Sequence, residues 1–182
     1  AFILGSHTGN FEFCGYSLHS TTKRLNALVF GGETATVMAN RAQMWMKNNI
    51  RMIPVSDDLS HLFTINNAIE EGEIVCLTAD RVFGSPKTLH RTFLGQQAAF
   101  PLGPFATAQC LDVPVLAIFV MKTEWNSYHV DVNDLSLTKE ERRTLKRREQ
   151  MERLAERYVA ALEKNVKRFP EQWFNYYEFW GT

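Results

Sequence analysis

The sequence predicts an α/β fold: a mostly parallel sheet flanked by helices, with a long helix near the C-terminus. Three features carry the prediction. Short apolar runs alternate with helical segments from Phe2 to Val120, the order expected of a parallel sheet with helices on its faces. The runs are close to continuously apolar, as strands covered on both faces are. From Thr138 the pattern changes to an apolar residue at every third or fourth position, the period of one helix face.

Taken in order, the strand candidates are Phe2-Leu4, Ala27-Phe30, Met52-Val55, Ile74-Leu77 and Val113-Val120. Helices are predicted near 10–20, 36–48, 60–71 and 104–111. In the third, Leu62, Ile65 and Ile69 form an apolar stripe, and Gly72 stands where the helix should stop. Pro104 suits the first turn of the fourth, where its missing donor costs nothing. Tyr128-His129-Val130-Asp131-Val132 alternates and reads as an added edge strand. Thr138 with Glu141 has the capping-box pattern for a long helix. Met151, Leu154, Tyr158, Leu162, Val166 and Phe169 make its stripe, Pro170 stops it, and an aromatic tail from Trp173 to Trp180 follows. The chain lacks internal repeats and linker-like stretches, so a single domain over 1–182 is expected.

A length of 182 residues is enough to bury a substantial core, and 45% apolar with 22% charged residues excludes a disordered chain. Cys14, Cys76 and Cys110 are odd in number, widely spaced and set in apolar or helical contexts. They are expected to be buried free thiols in a reducing cytosol. No apolar run approaches the roughly 20 residues that span a bilayer, and the first residues lack the basic region of a signal peptide. Net charge is zero, yet residues 138–168 hold eleven Lys/Arg against six Glu, an excess of five. The favoured reading is a solvated helix laced with i,i+4 ion pairs. The sharper one is a cationic face for anionic headgroups or an acidic acyl carrier protein.

The richest chemistry lies in His7-Thr8-Gly9-Asn10-Phe11-Glu12, directly after the first strand candidate. On one continuous helix His7 and Glu12 would point about 140° apart. With His7 on the strand-to-helix turn and Glu12 in the first helical turn, the two can meet. The carboxylate then orients the imidazole and stabilises its protonated form, which makes His7 a general base for a hydroxyl. Gly9 and Asn10 shape the turn or donate hydrogen bonds to a carbonyl oxygen, though a simple helix start explains them almost as well. Thr78-Ala79-Asp80-Arg81 closes another buried-strand candidate. Ligands of such sheets meet the carboxyl ends of strands, which puts Asp80 and Arg81 near the first motif. Arg81 either binds a phosphate or the acceptor, or pairs with Asp80 or Asp57. Lys87 and Arg91 are weaker candidates for a donor's phosphates.

Other mechanisms fit less well. A Gly-x-Ser-x-Gly elbow is absent, and Cys14 sits among apolar residues and reads as packing. His7, Cys14 and His19 have no zinc-site spacing. With no P-loop and no Gly-x-Gly-x-x-Gly, phosphoryl transfer and a dinucleotide cofactor are not expected. Nucleic-acid binding has only the basic helix in its favour, and that is interleaved with Glu.

The His7–Glu12 segment resembles the motif of the His-x4-Asp/Glu acyltransferases of the lysophospholipid acyltransferase superfamily, and among them the lipid A late acyltransferases (lauroyl and myristoyl transferases). Phe93-Leu94-Gly95 through Phe100-Pro101-Leu102-Gly103-Pro104, followed by Pro114-Val115, is similar to that family's Phe-x-Gly block. Phe169-Pro170-Glu171-Gln172-Trp173 is similar to its C-terminal signature. The three blocks stand in the family's order and span essentially the whole chain.

The resemblance implies a glycerolipid-acyltransferase-like fold and transfer of a fatty acyl chain from acyl carrier protein or coenzyme A to a hydroxyl of a lipid or lipid-like acceptor. It implies His7 and Glu12 as catalytic residues. Gly9, Asn10, Asp80, Arg81, Phe100, Pro101, Gly103 and Pro104 would be substrate-binding, the last four before a helix N-terminus suited to an anion or carbonyl oxygen. No metal or cofactor is implied beyond the thioester co-substrate. The expected setting is the cytoplasmic face of a bacterial inner membrane, with this chain the catalytic portion of a longer protein anchored through an upstream segment. Three departures stand out. The family's Tyr-Arg pair is replaced by Phe30-Gly31-Gly32, and where the family has an Asp-Gln pair this chain has Asp80-Arg81, so Asp80 matches and Arg81 departs. The tail Asn175-Tyr176-Tyr177-Glu178 also lacks the usual His and Arg. The lost Tyr-Arg pair and tail remove positive charge suited to an anionic acceptor, so a less charged hydroxyl fits as well. The rival readings are a non-catalytic lipid- or acyl-carrier-binding module and a thioesterase.

Overall fold

The computed structural model of the chain describes residues 1–10, 23–29, 45, 48–55, 58–82 and 87–180. Its elements, in chain order, are β1 (Phe2–Gly5), β2 (Leu25–Val29), β3 (Ile50–Pro54), α1 (Ser60–Glu70), β4 (Ile74–Thr78), β5 (Thr88–Phe93), β6 (Gln96–Pro101), α2 (Leu102–Cys110), β7 (Val115–Glu124), β8 (Ser127–Asp134), α3 (Lys139–Thr144) and α4 (Arg147–Arg168). Glu12, Cys14, His19, Phe30-Gly31-Gly32, the helix predicted near 10–20 and most of that near 36–48 lie outside the described residues.

Six strands form the main sheet in the order β3-β2-β4-β1-β7-β8. All pairs are parallel except the last, where β8 returns antiparallel along β7 as the expected edge strand. β1 is central, and its three-residue apolar run is buried on both faces. Phe2 and Leu4 join the larger core with α4, α2 and the β5–β6 hairpin, while Ile3 packs with Ile118 and Val120 on the opposite face. In α1, Ile65 and Ala68 make the buried contact and Leu62 is exposed, so the stripe is narrower than predicted. No helix among the described residues is long and apolar enough to cross a membrane.

Three expectations are corrected. The helix predicted from Thr138 is two helices. The Thr138–Glu141 capping box opens α3, but the chain turns extended at Leu145 and Lys146 before α4. Buried Gln150 holds the break together: its Nε2 donates to the Arg142 and Leu145 carbonyls, at 3.0 and 2.9 Å, and its Oε1 accepts from Gln109. The β5–β6 hairpin is a second correction, since no strands were predicted there. Leu94 and Gly95 both have positive φ (51° and 83°), the requirement of a two-residue I′ turn. Leucine is an unusual first residue for it, and here the Leu94 N–H donates to the Glu163 carboxylate. Third, Cys110 is exposed rather than buried, with its Sγ accepting from Arg147.

The basic stretch of α3 and α4 behaves as the blander reading predicts. Arg148 pairs with Glu152, Arg153 with Glu156, Lys167 with Glu163, and Arg157 with Glu141. Met151, Leu154, Tyr158, Leu162 and Val166 turn inwards from α4 against the sheet.

Candidate active site

The parallel register of β1 and β4 pairs Gly5 with Thr78. Two residues beyond each partner stand His7 and Asp80, so the register alone brings a histidine and a carboxylate side by side at the carboxyl end of the sheet. That end is where ligands of open parallel sheets bind. The pairing continues past the strands, because the Ala79 N–H donates to the Gly5 carbonyl.

Asp80 is 2% exposed and grips His7 at two points. Its Oδ2 accepts the main-chain N–H of His7 and its Oδ1 meets the ring Nδ1, both at 2.8 Å. A carboxylate accepts, so Nδ1 carries the ring hydrogen in the neutral imidazole and Nε2 is the basic nitrogen. The flanking residues are turned the other way. Ser6 and Thr8 are buried and their hydroxyls share a 2.7 Å hydrogen bond, which leaves the intervening His7 side chain 21% exposed.

The turn after His7 is fixed by its neighbours. Gly9 has φ +53°, and a Cβ there would lie 2.1 Å from the Val120 carbonyl oxygen and 2.9 Å from Met121 Sδ. Only glycine fits. Its N–H donates to the Gln172 carbonyl (2.7 Å), and the Asn10 N–H donates to the Val120 carbonyl (2.8 Å). The backbone donors of His7, Gly9 and Asn10 are thus engaged within the protein.

The C-terminal signature crosses this turn as a strap. A 3₁₀ turn at Pro170–Gln172 follows α4, Trp173 makes an antiparallel bridge with Thr8, and the Phe174 N–H donates to the His7 carbonyl at 2.8 Å. Arg81 donates through Nη2 to the Phe174 carbonyl at 2.7 Å, so it braces the strap beside His7. Tyr158, fully buried, donates its hydroxyl to the Gly5 carbonyl at 2.7 Å. Burial, and then the nearby Asp80 carboxylate, push its phenol well above the ordinary range. The same two causes push Tyr177, near the Asp80 carbonyl, up to about 12.

The remaining predicted site residues are placed differently. Phe100 is buried edge-on to Phe93, Tyr158 and Phe179, within the main core. Pro101 and Pro104 are buried and Gly103 is exposed in the first turn of α2. Arg91 is spent on Glu152 of α4. Sequence reasoning passed over Tyr158, Gln172, Phe174 and the β7–β8 tip. Tyr158 looked like one more member of a core stripe, and Gln172 lay inside a motif that carried no assigned role. The tip matters because an open groove of about 630 Å³ runs beside the turn, lined by Gly9, Asn10, Lys122, Trp125, Gln172 and Phe174 among others.

A polarised imidazole on a rigid turn, next to an open groove at the carboxyl end of a parallel sheet, is equipped to take a proton from a hydroxyl. No curated protein is similar enough to the chain to count as a match. The sequence does match the profile of the bacterial lipid A biosynthesis acyltransferases over residues 1–181, and the chain belongs to that family of acyltransferases.

Proposed function

We propose that the protein moves a fatty acyl chain from an acyl carrier protein or coenzyme A thioester to a hydroxyl of a lipid or lipid-like acceptor, with His7 as general base. The observation that carries this reading is the two-point grip of buried Asp80 on His7. A carboxylate on Nδ1 fixes the tautomer whose Nε2 accepts a proton and stabilises the imidazolium that results.

In the reaction, Nε2 takes the proton of the acceptor hydroxyl as its oxygen attacks the thioester carbonyl. The tetrahedral intermediate collapses with cleavage of the C–S bond, and the departing sulfur takes the proton back from the imidazolium. With the N–H groups of His7, Gly9 and Asn10 engaged, the developing oxyanion is assigned to the Arg81 guanidinium, one amino group of which is held by Phe174. Glu12, from the same motif as His7, is retained as the second carboxylate of the site. Gly9 and Asn10 line the open groove beside the His7 turn and are assigned to substrate binding. The route uses no metal, no further cofactor and no covalent acyl-enzyme.

The reaction is assigned to the cytoplasmic face of the inner membrane, where a thioester donor and a lipid acceptor meet. Exposed apolar side chains beyond the carboxyl ends of the strands support that setting: Trp125 at the β7–β8 tip is 90% exposed, Tyr176 after the strap 85% and Phe63 in the first turn of α1 76%. Large apolar groups left in water at one end of a molecule mark an interaction surface.

The test is acyl transfer by the full-length protein and its His7→Ala variant, using labelled acyl carrier protein and acyl-CoA with a membrane lipid extract, read by mass spectrometry. A His7-dependent acylated lipid establishes the reaction and names both substrates. Free fatty acid released without an acceptor would make it a thioesterase, and a folded protein with no turnover would make it a binding module.

A further inference from the structure

We propose that Gln172 is a positioning residue for the base, acting through the strap; the inference rests on the assignment of His7 as that base. Beyond the end of β1, the edge of β7 that faced it would be left with unpaired backbone groups. Asn10 takes the Val120 carbonyl. Two residues on, the Gln172 carboxamide takes both groups of Lys122: Oε1 accepts the Lys122 N–H and Nε2 donates to the Lys122 carbonyl, each at 2.8 Å. A side-chain amide has the same donor and acceptor as a peptide, so Gln172 pairs with β7 as one residue of a strand would.

That clip fixes where the strap runs. With the Gln172 side chain on β7, its carbonyl is set to receive the Gly9 N–H, and the next N–H but one, that of Phe174, reaches the His7 carbonyl. The His7 peptide is then held from both ends, its N–H by Asp80 and its C=O by Phe174. The imidazole therefore takes its place from the two strands that flank β1, β4 through Asp80 and β7 through Gln172. The strap has a separate anchor in Trp173, packed against Phe93, Phe179 and Trp180. Loss of the clip should therefore loosen the turn without unfolding the chain.

The experiment compares Gln172→Met, which keeps the volume and removes both hydrogen bonds, and Gln172→Glu, which keeps the acceptor and loses the donor, with His7→Ala and the His7→Ala/Gln172→Met double variant. In the full-length protein, kcat is expected to fall on the order of 10- to 100-fold in Gln172→Met, because small misplacements of reacting groups carry such costs. KM should stay within about twofold, and the ring nitrogen shifts of ¹⁵N-labelled His7 should move while the melting temperature changes little. In the double variant, Gln172→Met should cost nothing beyond His7→Ala, since a residue acting through the base has no effect once the base is gone. Wild-type kcat in Gln172→Met, with His7→Ala inactive, overturns the inference and leaves the base assignment standing. An equal loss on both backgrounds also overturns it, by giving Gln172 a role independent of His7. A fully active His7→Ala protein removes the base assignment itself, and with it this one.

Discussion

Asp80 holds His7 with both oxygens of one carboxylate, one on the backbone and one on the ring. The contact is a consequence of register. Each residue stands two beyond the paired Gly5 and Thr78, so a shift of β4 against β1 would separate them. Asp80→Asn keeps the shape but offers Nδ1 an amide in place of a carboxylate, which allows the wrong tautomer. We expect kcat to fall on the order of 10²- to 10⁴-fold with KM little changed. Glu12→Gln in the same assay divides the roles of the two carboxylates. If Asp80 orients the ring, Asp80→Asn is the more damaging; the reverse order would return that role to Glu12.

Gly9 and Gly95 make a matched pair for measuring what the close approach at the His7 turn contributes. Both have positive φ, but a Cβ at Gly9 would collide with the Val120 carbonyl, whereas at Gly95 it would meet nothing within 4 Å. Gly95→Ala should cost about 1–2 kcal/mol from backbone strain alone, with activity unchanged. Gly9→Ala adds the collision, so it should destabilise more and lower kcat as the turn moves. Thermal melts with turnover of both variants check this. Equal losses in the two would mean that the turn tolerates displacement from β7.

Much of this arrangement is legible in the sequence. The central strands show as apolar runs because they are covered on both faces, and Asp80 is recognisable as a residue at the carboxyl end of a strand. The hydrogen bond between Asp80 and His7 is not legible, because nothing local says that β4 lies next to β1. The β5–β6 hairpin is hidden for a related reason. Its turn is Leu94-Gly95 where Asn-Gly or Asp-Gly would have announced it, and the leucine is held in place by Glu163, 69 residues away. Gln172 shows how a motif can be noticed without its function, since its partner Lys122 comes from a distant strand. Exposure of Cys110 depends likewise on where α2 meets α4, a contact no local pattern records.

The break between α3 and α4 supplies a stability prediction far from the chemistry. Neither proline nor glycine interrupts Thr144-Leu145-Lys146-Arg147, and the chain is held open by Gln150, whose amide satisfies two carbonyls that a continuous helix would have used. Gln150→Met leaves those carbonyls without that donor and Gln109 without its acceptor. The expected loss is about 1–3 kcal/mol, or roughly 2–12 °C in melting temperature for a chain of this size. Activity should survive, because residues 150 and 168 are about 27 Å apart along the helix. An unchanged melting temperature would mean that the two helices fuse into one when Gln150 is lost.

Tyr158 ties the same helix to the active-site strand and makes stability sensitive to alkali. Its hydroxyl donates to the Gly5 carbonyl, and burial followed by the Asp80 carboxylate raises its pKa well above that of a free phenol. Below the unfolded value of about 10, the group is neutral in both states and its full contribution is present. As pH rises past that point, the unfolded chain releases the proton first, so folding stability falls with increasing pH. Tyr158→Phe removes this dependence. It should cost about 0.5–1.5 kcal/mol at neutral pH for the lost hydrogen bond, yet melt with a shallower decline above pH 10. Tyr177, also raised, is the control: Tyr177→Phe should remove a smaller part of the alkaline loss, since that side chain is only partly buried. Denaturant melts of the three proteins between pH 7 and 11 decide the matter. Parallel curves for wild type and Tyr158→Phe would show that the phenol ionises as readily in the folded protein as in the unfolded one.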